Sequence, residues 1–331
     1  MAPTRNGTKS STPTLTLPPQ GGGKKRPYLS IIFLLAFILL GGSRCGPSPK
    51  GPIVVLAWEP NPRVVETLAG IRAKLDQAPL QVLYAQGSEA GAREQVGRLE
   101  KIRPRLVIIL GTRTLMTAAP VMKRIPGVFA LVANPYFTSV AYDPKHPEDH
   151  QDNLTGIATP APVEAALAKG AKLLGVSTWG LLYDPNDGGA AELAAQFTKS
   201  ADSLGLKTLV ETSADAASDL EGLERLRSRG AKVIYLPPAV SAARYAPQLL
   251  AWGREHRVRV VSSHPDFKDG GAVLWVGLDY YKLGEETGAL ARRILAGENP
   301  GRIPIMEKTP LAEARVNEAL LKSWAGYPAG R

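Results

Sequence analysis

From Ile53 onward the chain repeats one pattern: a short apolar run, a turn, then a helical segment with one apolar face. Ile53–Trp58, Leu80–Tyr84, Leu106–Leu110 and Val128–Val132 are the first four runs. Pro60-Asn61-Pro62 opens a helix to about Gln77, Ser88 caps one to about Lys101, and a third covers Thr114–Lys123. Continuous apolar strands separated by helices predict a parallel sheet covered on both faces, because a strand in contact with helices above and below has no solvent side. Residues 134–160 interrupt the rhythm; they are proline-rich and aperiodic, which predicts a long functional loop or a crossing between domains.

The pattern then restarts. Helices are predicted over Val163–Leu174, after Asp187, over Ala216–Ser228, from Ser241 and over Leu283–Ala296. Between them lie the runs Trp179–Tyr183, Lys207–Glu211, Lys232–Leu236, Val258–Val261 and Ala272–Leu278. The expectation is an α/β fold of two doubly wound parallel-sheet lobes, with a crossing near 156–162. A chain of 331 residues has room for two such units at ~150 residues each.

The net charge of +10 suggests a nucleic-acid surface until it is located. Seven of the 40 Lys and Arg fall in residues 1–50, which hold no acid, leaving 33 bases against 30 acids in the body. A nearly neutral body has no counterion-release drive toward DNA or RNA. The excess belongs to a targeting segment. Lys24-Lys25-Arg26 precedes the apolar run Leu29–Leu40, broken only by Ser30. That run is short of the ~20 residues a bilayer span needs, but suits a secretory signal core, a retained short anchor being the alternative. Two readings of the junction stand. Gly41 and Ser43 permit cleavage after Ser43; Cys45, the one cysteine, permits lipidation, although Gly42 and Arg44 hold places where a lipoprotein signal has Leu and a small residue. Gly46–Pro52 is a stiff linker.

Catalytic signatures are absent from the sequence. It has no Gly-x-Gly-x-x-Gly after a strand, no phosphate-binding Gly-x-x-x-x-Gly-Lys-Ser/Thr and no Gly-x-Ser-x-Gly elbow. His146 and His150, four apart, read as part of a solvated loop rather than a metal pair, and His256 as surface. Neither an enzyme nor a cofactor is expected. In open parallel sheets, ligands bind beyond the carboxyl ends of the strands. The residues there include Trp58, Glu59, Thr112, Asn134, Tyr183, Asp184, Asn186, His264 and Asp266. Aromatic faces joined to amides, hydroxyls and carboxylates suit a small polar molecule with an apolar part.

Several stretches carry a family resemblance: Arg103-Pro104-Arg105-Leu106-Val107-Ile108 with Gly111-Thr112; Ile125-Pro126-Gly127-Val128-Phe129; Asn153-Leu154-Thr155-Gly156-Ile157; Leu182-Tyr183-Asp184-Pro185-Asn186; Val276-Gly277-Leu278-Asp279-Tyr280-Tyr281-Lys282-Leu283-Gly284; and Ala291 to Pro300. From Ile53 to about Ile305 the chain resembles the substrate-binding proteins of ABC transporters, in the subfamily with tryptophan- and tyrosine-type binding proteins. The resemblance implies a type I periplasmic-binding-protein-like fold with a hinge between its lobes, an exported location in the periplasm or cell envelope, a monomer, and delivery of a small-molecule ligand to an ABC permease. A sensory or partner-binding receptor on the same scaffold is the rival reading. The implied division is leader 1–45, linker 46–52, first lobe 53–156 with about 265–297, second lobe 157–264 with about 298–310, and tail 311–331.

Three departures bear on the ligand. Ala133-Asn134-Pro135 stands where the family often has Thr-Asp-Pro, Asp187-Gly188-Gly189 where it has Asn-Ser, and Pro237-Pro238-Ala239-Val240 lacks its Thr-Asp-Asn. A buried ammonium without an anion is costly, so these changes predict weak binding of free tryptophan, tyrosine or phenylalanine.

Overall fold

The computed structural model describes residues 51–185, 190–213, 215–238, 240–269, 271–308 and 310–324, all within one unit, Pro47–Arg331. The leader, Cys45, Asn186, the Asp187-Gly188-Gly189 substitution and the end of the tail lie outside the described residues.

The first lobe begins with β1 (Ile53–Ala57), α1 (Pro62–Lys74), β2 (Leu80–Tyr84), α2 (Glu89–Ile102), β3 (Leu106–Leu110), α3 (Thr112–Ala118) and β4 (Gly127–Val132). Strands β1 and β3 are buried along their whole length, as the unbroken apolar runs predicted. Alternate residues serve opposite faces. Val55 and Ile108 meet Val64, Leu68 and Ile71 of α1, whereas Val54 and Val107 meet Val96 and Leu99 of α2. Caps set the helix starts: the Asn61 side chain accepts from Val64 N and the Ser88 side chain from Gly91 N.

The expectation of an aperiodic stretch at 134–160 is corrected. β5 (Ala141–Asp143) and β6 (His146–His150) form a hairpin, and β7 (Leu154–Ala158) is a fully buried strand beside β4. Leu-Thr-Gly-Ile-Ala hides its strand character because Gly156 leaves a gap in the apolar pattern. The gap is filled from β4: a Cβ at Gly156 would lie 2.4 Å from the Phe129 ring. His150 is buried, not solvated, with ring nitrogens 2.9 Å from Ile303 O and 3.1 Å from Gln151 O. Among the described residues no cluster of three His, Cys, Asp or Glu could hold a metal.

The second lobe contains α4 (Val163–Leu174), β8 (Thr178–Tyr183), α5 (Ala190–Ser203), β9 (Lys207–Thr212), α6 (Ala216–Ser228), β10 (Val233–Leu236), α7 (Val240–Glu255), β11 (Arg259–Ser262) and β12 (Leu274–Trp275). Its sheet is also two-faced. Ile234 and Leu236 pack with Leu223 and Leu249, whereas Val233 and Tyr235 pack with Leu167 and Phe197.

After β12 the chain returns to the first lobe. α8 (Tyr280–Leu295) packs along α1, and β13 (Met306–Glu307) completes the sheet order β13-β7-β4-β3-β1-β2, all parallel. It then crosses back, and β14 (Arg315–Val316) runs antiparallel to β12 in the order β14-β12-β11-β10-β8-β9, followed by α9 (Glu318–Trp324). Sheet membership thus differs from the division read from sequence. Residues 274–275, read as a strand but placed in the first lobe, join the second sheet; 306–307 join the first and 315–316 the second, where strands of two residues leave no periodic trace. Three segments join the lobes. Two of them pair: Asp279 N donates to Pro310 O at 2.7 Å and Ala312 N to Gly277 O at 3.0 Å.

Helices α1 and α8 touch backbone to backbone. A Cβ at Gly70 would sit 2.1 Å from Tyr281 O, and one at Gly284 2.1 Å from Thr67 O. Glycine inside a helix costs about 1 kcal/mol relative to alanine, which this close approach offsets with buried contact. Asp279 caps α8 by accepting from Lys282 N, so the helix starts three residues before the predicted Leu283.

Candidate functional site

The carboxyl ends of both sheets open onto one cavity of about 830 Å³, counting the space at its mouth. The first lobe contributes Arg63, Thr112, Leu131 and Ala133. The crossing segments contribute Thr159, Pro160, Ala161 and Leu278, with Tyr280 at the start of α8. The second lobe contributes Tyr183, Asp184, Glu192, Leu193, Gln196, Pro237 and Pro238.

Local structure explains the placement. Gly111, at φ 101°, makes the elbow between β3 and α3 that puts Thr112 at the cavity. Leu131 is in the left-handed region at φ 58°, where the β4–β7 register shifts. A bulky residue is strained there, and such strain collects at functional sites. Tyr280 is buried, and desolvation pushes its hydroxyl up to about 12, opposed by the nearby Arg63 charge.

Hydrogen bonds cross between the lobes. Arg63 Nη1 donates to Pro238 O at 2.9 Å, and Asn134 Nδ2 donates to Glu192 Oε2. Asn134 also caps its own turn, accepting from Tyr136 N at 2.8 Å.

The sequence-predicted residues divide. Thr112, Tyr183 and Asp184 line the cavity, and Asn134 bridges the lobes beside it. Trp58 instead stacks under the Arg113 guanidinium, 5.5 Å from the ring centroid. Glu59 lies against the Gly87 turn. His264 is 3% exposed and behind the cavity wall. Its Nδ1 accepts from Asp266 N at 3.2 Å and its carbonyl from Trp275 Nε1 at 2.8 Å. Burial, with a smaller push from Arg63, lowers the imidazole to about 3, so this ring is neutral. Asp266 does not line the cavity; partial burial raises its carboxyl against the pull of Arg63.

Sequence reasoning missed Arg63, Leu131 and Glu192. Arg63 left a trace, a cation in the first turn of a helix, where the dipole disfavours it. Glu192 left none, since an acid in a first turn is what a helix prefers anyway. It joins Asp184, which the strand-end rule had already placed there, as a second acid on the cavity wall. Two carboxylates enter from the second lobe and one guanidinium from the first, so the cavity carries acids besides those that the departures from the family pattern remove.

Known proteins share this architecture. A family model described as ABC transporter substrate binding protein matches residues 64–322. A tyrosine-binding protein of Clostridioides difficile (strain R20291) is 31% identical over 93 residues, 28% of this chain and 26% of that protein. The match therefore spans about a quarter of that relative's length. A conserved domain protein from Vibrio cholerae superposes with a TM-score of 0.73 at 20% identity, over 82% of this chain and 94% of that one. A Streptococcus pneumonia domain crystallised with L-Trp gives 0.72 at 19% identity, with the same coverages. At such identities these structures speak for the fold alone, which is that of type I periplasmic binding proteins.

Proposed function

Given that the chain belongs to the ABC transporter substrate-binding protein family, we propose that it captures a small molecule between its lobes outside the cytoplasm and delivers it to an ABC permease. The family and fold are those of solute-binding proteins rather than enzymes, and members of the family typically work outside the cytoplasm. The observation that carries the proposal is a cavity built from the strand ends of both lobes. A ligand held there touches both lobes when they are closed and one when they are open. That differential contact is what a binding-driven closure requires. The three joining segments are the hinge, and Thr112, Asn134, Tyr183 and Asp184 contact or frame the ligand.

The ligand class follows from the walls. Arg63 lines the cavity from the first lobe and Asp184 and Glu192 from the second, and Leu131, Leu193, Leu278, Tyr183 and Tyr280 supply apolar contact. A small dipolar molecule with an apolar body satisfies both. Tyrosine and L-Trp, named for the Clostridioides difficile and Streptococcus pneumonia relatives described above, have this form. In the proposal the N-terminal segment directs export, the chain acts as a monomer, and Cys45 is either lipidated or kept unmodified after cleavage behind Ser43.

Thermal shift and calorimetry on the protein with L-amino acids, nucleosides and small carboxylates test the ligand class. A ligand at a hundred times its Kd should stabilise the fold by about 2.7 kcal/mol. No stabilisation across the panel would reject capture of this class. Binding without uptake by vesicles holding the cognate permease and ATPase would favour the sensory reading.

A further inference from the structure

Arg63 is the one cation among the described residues that line the cavity. It is the second residue of α1, in a first turn fixed by the Asn61 cap and Pro62. A cation there opposes the partial positive charge of the helix N-terminus, and the turn holds no acid to offset it. Helix stability therefore gives no reason for an arginine at this position.

Its surroundings do give one. Arg63 Nη1 donates to Pro238 O at 2.9 Å, a bond from the first lobe to the second. The acceptor follows β10 in a Pro-Pro pair, whose ring-locked φ angles hold the carbonyl in place. The donor is on a helix whose backbone rests directly on α8 through Gly70 and Gly284. Both ends of the bond are thus mounted on rigid elements. Arginine carries five N–H donors in a planar fork; one carbonyl occupies one of them, and the residue lines the cavity.

We infer that Arg63 couples ligand recognition to lobe closure: Nη1 holds the Pro238 carbonyl of the second lobe while the remaining N–H donors take an anionic group of the ligand. The inference rests on the cavity being the ligand site. In an open state the fork has neither partner. A bound carboxylate orients it, and the orientation that suits the anion also meets Pro238 O. The acids do not compete for this place, since Asp184 and Glu192 enter from the other lobe and Glu192 already accepts from Asn134. A neutral amide in place of the carboxylate keeps the ligand's shape but loses the charge-assisted, two-pronged bond.

The test compares L-tryptophan with L-tryptophanamide, which differ at that one group, on the full-length protein in detergent. Wild type should bind the acid about tenfold or more tightly than the amide, a preference that Arg63→Ala reduces to about threefold or less. Arg63→Lys should fall between, since it keeps the charge and loses the fork. A second readout needs no ligand: pulsed electron paramagnetic resonance between spin labels at Glu94→Cys on α2 and Glu221→Cys on α6, in a Cys45→Ser background. Arg63→Ala should lengthen the mean interlobe distance. Retention of the full acid preference in Arg63→Ala overturns the inference. If wild type binds neither probe, the amino-acid-like reading of the cavity fails by itself, and an unchanged distance distribution in Arg63→Ala then overturns the coupling.

Discussion

The two lobes share a topology but are packed by opposite means. In the first, α1 and α8 come so close that glycine is required on both, and the atoms that would clash with a Cβ are backbone: Tyr281 O at Gly70, Thr67 O at Gly284. In the second, glycines make room for indoles. A Cβ at Gly170 would lie 2.4 Å from Trp179 Cη2, and one at Gly277 2.0 Å from Trp275 Cζ2. Trp179, Trp275, Tyr235 and Phe197 are among the largest fully buried side chains. The first lobe is thus stiffened where Arg63 is mounted, while the second depends on filling volume around its sheet. A backbone contact relaxes only if a helix moves; a ring can tilt.

Substitutions rank this contrast. Trp179→Ala should have the largest effect, destabilising by about 4 kcal/mol, because it removes a buried ring and leaves Val176 O without its indole donor. Urea denaturation measures it. Gly284→Ala should follow at about 3 kcal/mol, although alanine is the better helix former. Gly170→Ala should cost about 1 kcal/mol, since the Trp179 ring can shift and the helix gains propensity. If Gly170→Ala equals or exceeds Gly284→Ala, the distinction between backbone and ring contacts is wrong.

Between the second and third in size lies a pH effect confined to the second lobe. His264 has its folded pKa depressed to about 3, below the ordinary value of 6.5. As pH falls below about 6.5 the unfolded chain takes up a proton that the folded ring refuses, so stability is complete above that pH and is lost toward pH 3. At pH 5 the loss should be about 2 kcal/mol. His264→Asn keeps an acceptor for Asp266 N and should flatten the pH 5–7 stability profile without altering ligand affinity. A change in affinity equal to that of a cavity residue would return His264 to the site.

The elements that carry continuous apolar runs were readable from sequence: β1, β2 and β3 begin where the runs begin, and the Asn61 and Ser88 caps open helices as their chemistry requires. What escaped were elements whose pattern is completed by another strand or lobe. β7 reads as loop until Phe129 fills the gap at Gly156, and β13 and β14 are too short to show a period. In the site, Thr112, Tyr183 and Asp184 were found because strand ends face ligands in such sheets. Trp58 and His264 satisfy the same rule yet stack and cap. Arg63 and Glu192 reach the cavity from helices, which the strand-end rule does not cover.

The return of α8 and β13 to the first sheet has a consequence for how the chain is made. The first lobe is not contiguous: Leu283, Leu290 and Ile294 cover the face formed by Val55, Ile108 and Val128, and β13 supplies the strand beside β7. During synthesis that face stays bare until nearly the whole polypeptide has emerged. The sheet's non-local pairings also make it slow to form. On the export reading proposed above, this arrangement keeps the first lobe from locking into its final shape while the leader is being recognised.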